Sequence, residues 1–187
     1  AMPTSWQRWP KMALPKMMAD LTVARLADVT VPDGAAWGNV ARAEALSRVR
    51  QMGLPTKRDE YWKYTDPSSL TAPTAPEAAR FENDEGALFA DMDRVKIVFV
   101  DGVFDPEASD DLIGENLQID RLADEIAADI NCGKELYGVL EARGQTPVER
   151  PLAALNTALA TDGVVIRVMG KAEKPINFIF LHSALHE

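Results

Sequence analysis

The sequence predicts an α+β fold, with a helical N-terminal region, a β-hairpin and then apolar strands that begin a larger sheet. Three patterns carry this prediction. Helix-spaced apolar residues with clear stop signals fill the stretch up to Met52. Val95–Phe104, VKIVFVDGVF, is a β-branched run followed by a hairpin dipeptide. Gly163–Met169 and Ile176–Leu181 are strand-like and apolar on both faces.

The elements follow in order. Residues 1–34 mix charges and prolines, break every apolar run, and read as a partly disordered N-terminal extension. Residues 35–94 read as a helical region. From Asp33-Gly34 a helix runs to about Met52, with Trp37, Ala41, Ala45, Val49 and Met52 on one face and Arg42, Ser47, Arg50 and Gln51 off it. Gly53 supplies its left-handed end and Pro55 blocks continuation. Thr56 with Asp59 restarts the chain as a short helix, and Asp66-Pro67 opens another turn. Thr71–Pro76 is an extended, Pro-rich connector.

Residues 95–162 read as the hairpin plus helices. Asp101-Gly102 is a type I′ signal and Pro106 ends the return strand. Leu117–Ile119 is a short strand, Arg121–Ile130 and Lys134–Ala142 are helices, and Pro151–Ala160 is an Ala/Leu-rich helix closed by Asp162-Gly163. In residues 163–187, Ile176, Phe178 and Phe180 point one way along the last strand, and Ile179 and Leu181 the other. Both faces should be covered, and the edge needs a partner.

Composition excludes some functions. The 187 residues carry a net charge of −9 and a pI near 4.8, so phosphate-rich nucleic acid or an anionic membrane surface would be repelled. No apolar run approaches the length that spans a bilayer. The one cysteine, Cys132, allows no internal disulfide and no multi-cysteine metal site, which suits a reducing cytoplasm. There is no phosphate-cradling glycine loop, nucleophile elbow or Ser/His/Asp constellation, so the chain reads as a non-enzyme.

Several residues of chemical interest also have a plain structural role open to them. Cys132 could accept sulfur or ligate a cluster, but one thiolate cannot hold a cluster and a packed small residue is favoured. His182, His186 and Glu187 would bind metal only if the end turned helical. The acidic stretch Glu82–Glu85, with Asp91 and Asp93, lacks the spacing of a calcium loop and reads as a solvated face. Tyr61, Trp62 and Tyr64 are expected to pack, with Trp62 anchoring the first helix to the hairpin. Asn156, among Leu152, Leu155 and Leu159, reads as a buried, hydrogen-bonded link from helix to sheet.

Three blocks carry a family resemblance: Gly53-Leu54-Pro55-Thr56 with Trp62-Lys63-Tyr64-Thr65; Val98-Phe99-Val100-Asp101-Gly102 with Pro106 and Ser109; and Leu155-Asn156-Thr157-Ala158 with Asp162-Gly163 and the strands to Leu181. In this order they resemble the N-terminal region of the SufB/SufD family, scaffolds of SUF iron–sulfur cluster assembly, and the first block leans towards the SufD branch. The resemblance implies that the last strands open a right-handed parallel β-helix, truncated here. It also implies SufB and SufC as partners in the full-length complex, with the iron–sulfur cluster held only transiently by the full assembly. The family's cluster-assembly positions lie beyond Glu187, so no catalytic, cofactor or metal residue is carried over. Candidates for structure and interaction are Trp62, Tyr64, Asn156, Ile176, Phe178 and Phe180. The fragment should not bind SufC, and should self-associate through its terminal strand. The rival reading is a small-molecule or enzymatic cleft around Tyr61, Tyr64 and Asp59.

Overall fold

The computed structural model describes residues 16–74, 88–114, 116–128, 133–145 and 148–182. Its architecture is α+β: helices and two small three-stranded sheets. Helix α1 (Lys16–Arg25) occupies part of the stretch expected to be a loose extension. Two contacts hold it. Thr22 is buried and its Oγ1 accepts a 3.0 Å hydrogen bond from the Leu54 amide, while Leu26 enters the core. The chain beyond α2 therefore fixes α1, which explains why local composition did not reveal it.

Helix α2 (Ala36–Met52) ends at Gly53, whose φ of 75° is the positive value that glycine accepts, with a ψ of 160° outside the left-handed helical region expected there. Its buried face is wider than the spacing suggested and includes Arg42, only 2% exposed. This corrects the placement of Arg42 off the packed face. The guanidinium is buried because it has acceptors: Nη1 donates to the carbonyls of Pro32 (3.0 Å) and Asp33 (3.4 Å), and Nη2 to that of Ala160 (2.7 Å). Helix α6 (Pro151–Leu159) packs along α2, and Ala45, Leu46, Val49, Ala154, Leu155 and Ala158 fill the contact.

The Gly53–Leu70 segment follows α2. Asp59 Oδ2 accepts the Thr56 amide at 2.6 Å, fixing the 3₁₀ turn Glu60–Trp62. Asp66 Oδ1 accepts the Ser68 amide at 3.0 Å and starts α3 (Ser68–Thr71).

Strands β1 (Val95–Val100) and β2 (Val103–Phe104) form the expected hairpin, with Asp101 and Gly102 at φ 48° and 82°. Strand β6 (Ile176–Leu181) lies parallel to β1, in register from Val95↔Ile176 to Val100↔Leu181, so the first sheet has the order β2-β1-β6. The second sheet has the order β3-β4-β5, all antiparallel: β3 (Ile113–Gly114), β4 (Leu117–Arg121) and β5 (Val164–Val168). Ile97, Phe99, Leu117 and Ile119 make the core shared by the two sheets.

Two predicted helices are shorter than expected. Arg121 ends β4, and α4 covers Leu122–Ala127. The chain from Gly133 to Gly138 is turn, with Gly138 at φ 70°, so α5 is only Val139–Gly144. The positive φ at Gly138 interrupts what helix propensity alone would have joined.

Candidate functional site

Among the described residues, no strand pairs with the outer side of β6, which ends the first sheet. Alternation along this strand puts Phe178 and Phe180 on one face, 40% and 62% exposed, and Leu181 is 50% exposed. The expectation that both faces of this strand are covered is not met. Phe180 stacks on Phe99 of β1 (ring centroids 5.4 Å apart, planes at 16°) and Phe178 stacks on Phe180 (6.4 Å, 20°). The three rings form an aromatic surface that runs from the buried strand to the open one.

Beside this surface lies a groove of about 520 Å³ between the sheet and the end of α6. Phe99, Phe178, Phe180, Leu159, Asn156 and Asp162 are among its lining residues. Asn156 is exposed there, which corrects its expected burial. Its neighbours Leu155 and Thr157 carry the buried face of α6 instead.

Asp162 lines the groove as well. Its side chain is almost wholly buried and gathers donors from several elements. Oδ2 accepts Arg121 Nη2 at 2.6 Å and the Phe104 amide at 3.1 Å; Oδ1 accepts the amides of Gly163 (2.9 Å) and Ala123 (3.4 Å). Burial pushes this carboxyl up. The Arg121 guanidinium and the Gly163 and Phe104 amides outweigh burial and hold it below its ordinary value. The Arg121 guanidinium also lies over the Phe104 ring, 5.2 Å from its centroid.

A second polar centre lies inside the helical region. Tyr137 hydroxyl donates to the Thr157 carbonyl, and its ring meets Trp37 edge-on at 6.2 Å. Burial raises the Tyr137 pKa, and Arg42 partly opposes that rise. In both centres the Asp162 carboxylate, the terminal guanidinium nitrogens and the Tyr137 hydroxyl are engaged with backbone or with each other, while Trp37 Nε1, Arg42 Nε and Arg121 Nε are buried without a hydrogen-bond partner. Neither presents an activated nucleophile beside a base. Among the described residues, no group of three or more His, Cys, Asp or Glu is placed to hold a metal ion. No helix among them is long and apolar enough to cross a membrane.

The remaining candidates separate. Trp62 is half-buried and belongs to none of the hydrophobic cores, so it is not the anchor between helix and hairpin. Tyr61 and Tyr64 are 70% and 91% exposed, which overturns their expected packing. The proposed cleft around Tyr61, Tyr64 and Asp59 does not form, because Asp59 is spent on Thr56 and the tyrosines face solvent. Ile176 packs against the shared core. Asp93 pairs with Lys174 at 2.7 Å. His182 is exposed. Cys132, His186, Glu187 and Glu82–Glu85 lie outside the described residues.

Sequence reasoning missed Arg42 and the Arg121–Asp162 pair. Arg42 stands four residues after Gly38 and three before Ala45, on the helix stripe they define, and its charge hid that spacing. Nothing in the sequence around Asp162 marks it as an ion-pair partner, since Arg121 is 41 positions away.

A family model described as the SufBD protein N-terminal region matches residues 29–177. The iron-sulfur cluster assembly protein SufD of Escherichia coli (strain K12) is 30% identical over 134 residues, covering 63% of this chain and 31% of that protein. An iron-sulfur cluster assembly SufBD family protein of Synechocystis sp. is 27% identical over 154 residues, covering 75% of this chain and 31% of that protein. The chain therefore spans about a third of the length of these curated relatives.

Proposed function

The chain belongs to the SufB/SufD family through its N-terminal region, and from that membership we propose that it is a non-catalytic scaffold element of SUF iron–sulfur cluster assembly. It acts through protein–protein contacts in the cytoplasm. The cluster is the cargo of the full assembly, and this region supplies none of its ligands. The full-length protein pairs with SufB and engages SufC, and the SufD-like character of Gly53–Thr65 makes it the SufD-type partner.

The observation that carries this reading is the open β6 strand. Six residues pair in register with β1 on one side, no strand among the described residues pairs with the other, and stacked phenylalanines continue out over it. Such an edge suits strand addition. We read β6 as the opening strand of a right-handed parallel β-helix. Its parallel pairing supports this, as does the placement of the consecutive strands β5 and β6 in different sheets, which is how a solenoid coil turns a corner.

Co-expression of the tagged full-length protein with SufB and SufC tests the proposal. Recovery of a complex containing all three supports it, and recovery of the tagged protein alone refutes it.

A further inference from the structure

A strand presents its N–H and C=O groups alternately to its two sides. On β1, the odd-numbered residues serve β6: the Val95 amide donates to Pro175 at 2.9 Å, and the Asp101 amide to Leu181 at 2.9 Å. The outward row therefore belongs to Lys96, Val98 and Val100. Strand β2 has only two residues and reaches only the Val100 end. The other four groups would be open to any strand passing by.

They are closed by the loop that follows. The Val98 carbonyl accepts the Asp105 amide at 2.9 Å, and the Val98 amide donates to Ser109 Oγ at 2.9 Å. The Lys96 carbonyl accepts the Asp110 amide at 2.8 Å, and the Lys96 amide donates to Asp110 Oδ2 at 2.7 Å. Two of the four partners are side-chain oxygens, so a segment with no strand geometry reproduces a strand's hydrogen-bond pattern. The loop is itself braced. Asp105 Oδ1 accepts the amides of Glu107 (3.0 Å) and Ala108 (3.1 Å), and Ser109 Oγ donates to the Asp105 carbonyl at 2.6 Å.

We infer that Asp105–Asp110 is a side-chain strand cap, whose role is to close the outer edge of β1 and direct all strand addition in this sheet to β6. A strand entering on the β1 side would have to displace four hydrogen bonds already made, exchanging bond for bond with no net gain. At β6 it meets an edge that no strand among the described residues pairs with, and an aromatic face. The cap makes this region the closed end of a one-way sheet, blocking the edge-to-edge pairing to which uncapped sheets are prone. The inference stands on β1 geometry and holds whether or not the protein is a SUF scaffold.

Two measurements on residues 1–187 test it. In the unaltered protein, Lys96 and Val98 amides should exchange with deuterium at least about 100-fold more slowly than in an unfolded chain, as closed groups do. Exchange of both at unfolded rates overturns the inference without any variant. In the Ser109→Ala/Asp110→Ala double variant, both amides should lose that protection. The weight-average mass in light scattering should then rise at least about twofold above the unaltered protein's, because a second edge is open to another copy. Asp110→Asn, which keeps an oxygen acceptor, should restore the Lys96 amide. A folded double variant with unchanged mass and unchanged protection contradicts the cap.

Discussion

Asp162 and Arg121, 41 positions apart, are joined by a 2.6 Å ion pair in which the carboxylate is only 3% exposed. The same carboxylate receives amides from the hairpin, from α4 and from the start of β5, so one residue ties the first sheet to the second. Replacing it with Asn leaves Arg121 only the more distant, exposed Asp124 carboxylate at 4.0 Å and sets a donor among donors. Asp162→Asn should destabilise the fold by about 2–4 kcal/mol, read by urea denaturation.

The pair also sets an acid limit. Asp162 is held below its ordinary value of 3.8 in the folded chain, so its stabilising contribution is fully present above that value. It is lost as pH falls through the lower folded value. Thermal melts at falling pH should show an acid-dependent loss of stability that is smaller in Asp162→Asn. Equal acid sensitivity in the two proteins would remove Asp162 from the account.

Arg42 predicts a graded series. Arg42→Met removes the donors to Pro32, Asp33 and Ala160 and should cost about 2–4 kcal/mol. Arg42→Lys should cost less than Met but more than nothing, because one ammonium cannot span carbonyls on two sides as the guanidinium fork does. Chemical denaturation of both variants orders them.

The aromatic run predicts a contrast. Tyr64→Ala should change stability by no more than about 0.5 kcal/mol, as exposed substitutions do. Trp62→Ala should cost about 1–2 kcal/mol, in keeping with partial burial of a large ring. A core-sized loss, which the sequence suggested for Trp62, would place it in a core where the structure does not.

The open β6 edge predicts self-association. Residues 1–187 should form a symmetric dimer covering Ile176–Leu181, and Phe178→Lys with Phe180→Lys should return it to a monomer. Light scattering across a concentration series decides this. A monomer at every concentration counts against the edge as a docking surface.

Local signals in the chain gave a good account of local structure. The stop at Gly53, the turn at Asp101-Gly102, the caps at Asp59 and Asp66 and the strands at 95–100 and 176–181 were readable because each depends on neighbours in sequence. Long-range pairing was not. Nothing local says that β6 joins β1 rather than β5, that Thr22 holds α1 to Leu54, or that Arg42 finds a carbonyl on Ala160. Alternation groups Phe178 and Phe180 on one face of β6, but their exposure depends on which strands stop beside them. Asn156 failed for the opposite reason: an apolar neighbourhood in sequence is not a burial site when the helix turns that position outwards.

The central claim is that this region serves iron–sulfur cluster assembly as a scaffold. The most direct measurement is the iron and acid-labile sulfide content of the tagged full-length protein, isolated from cells that co-express SufB and SufC. The account predicts recovery of all three proteins together, with iron and sulfide bound to that complex and absent from residues 1–187 alone. A tagged protein that purifies without SufB and SufC, or a complex without iron and sulfide, would contradict it.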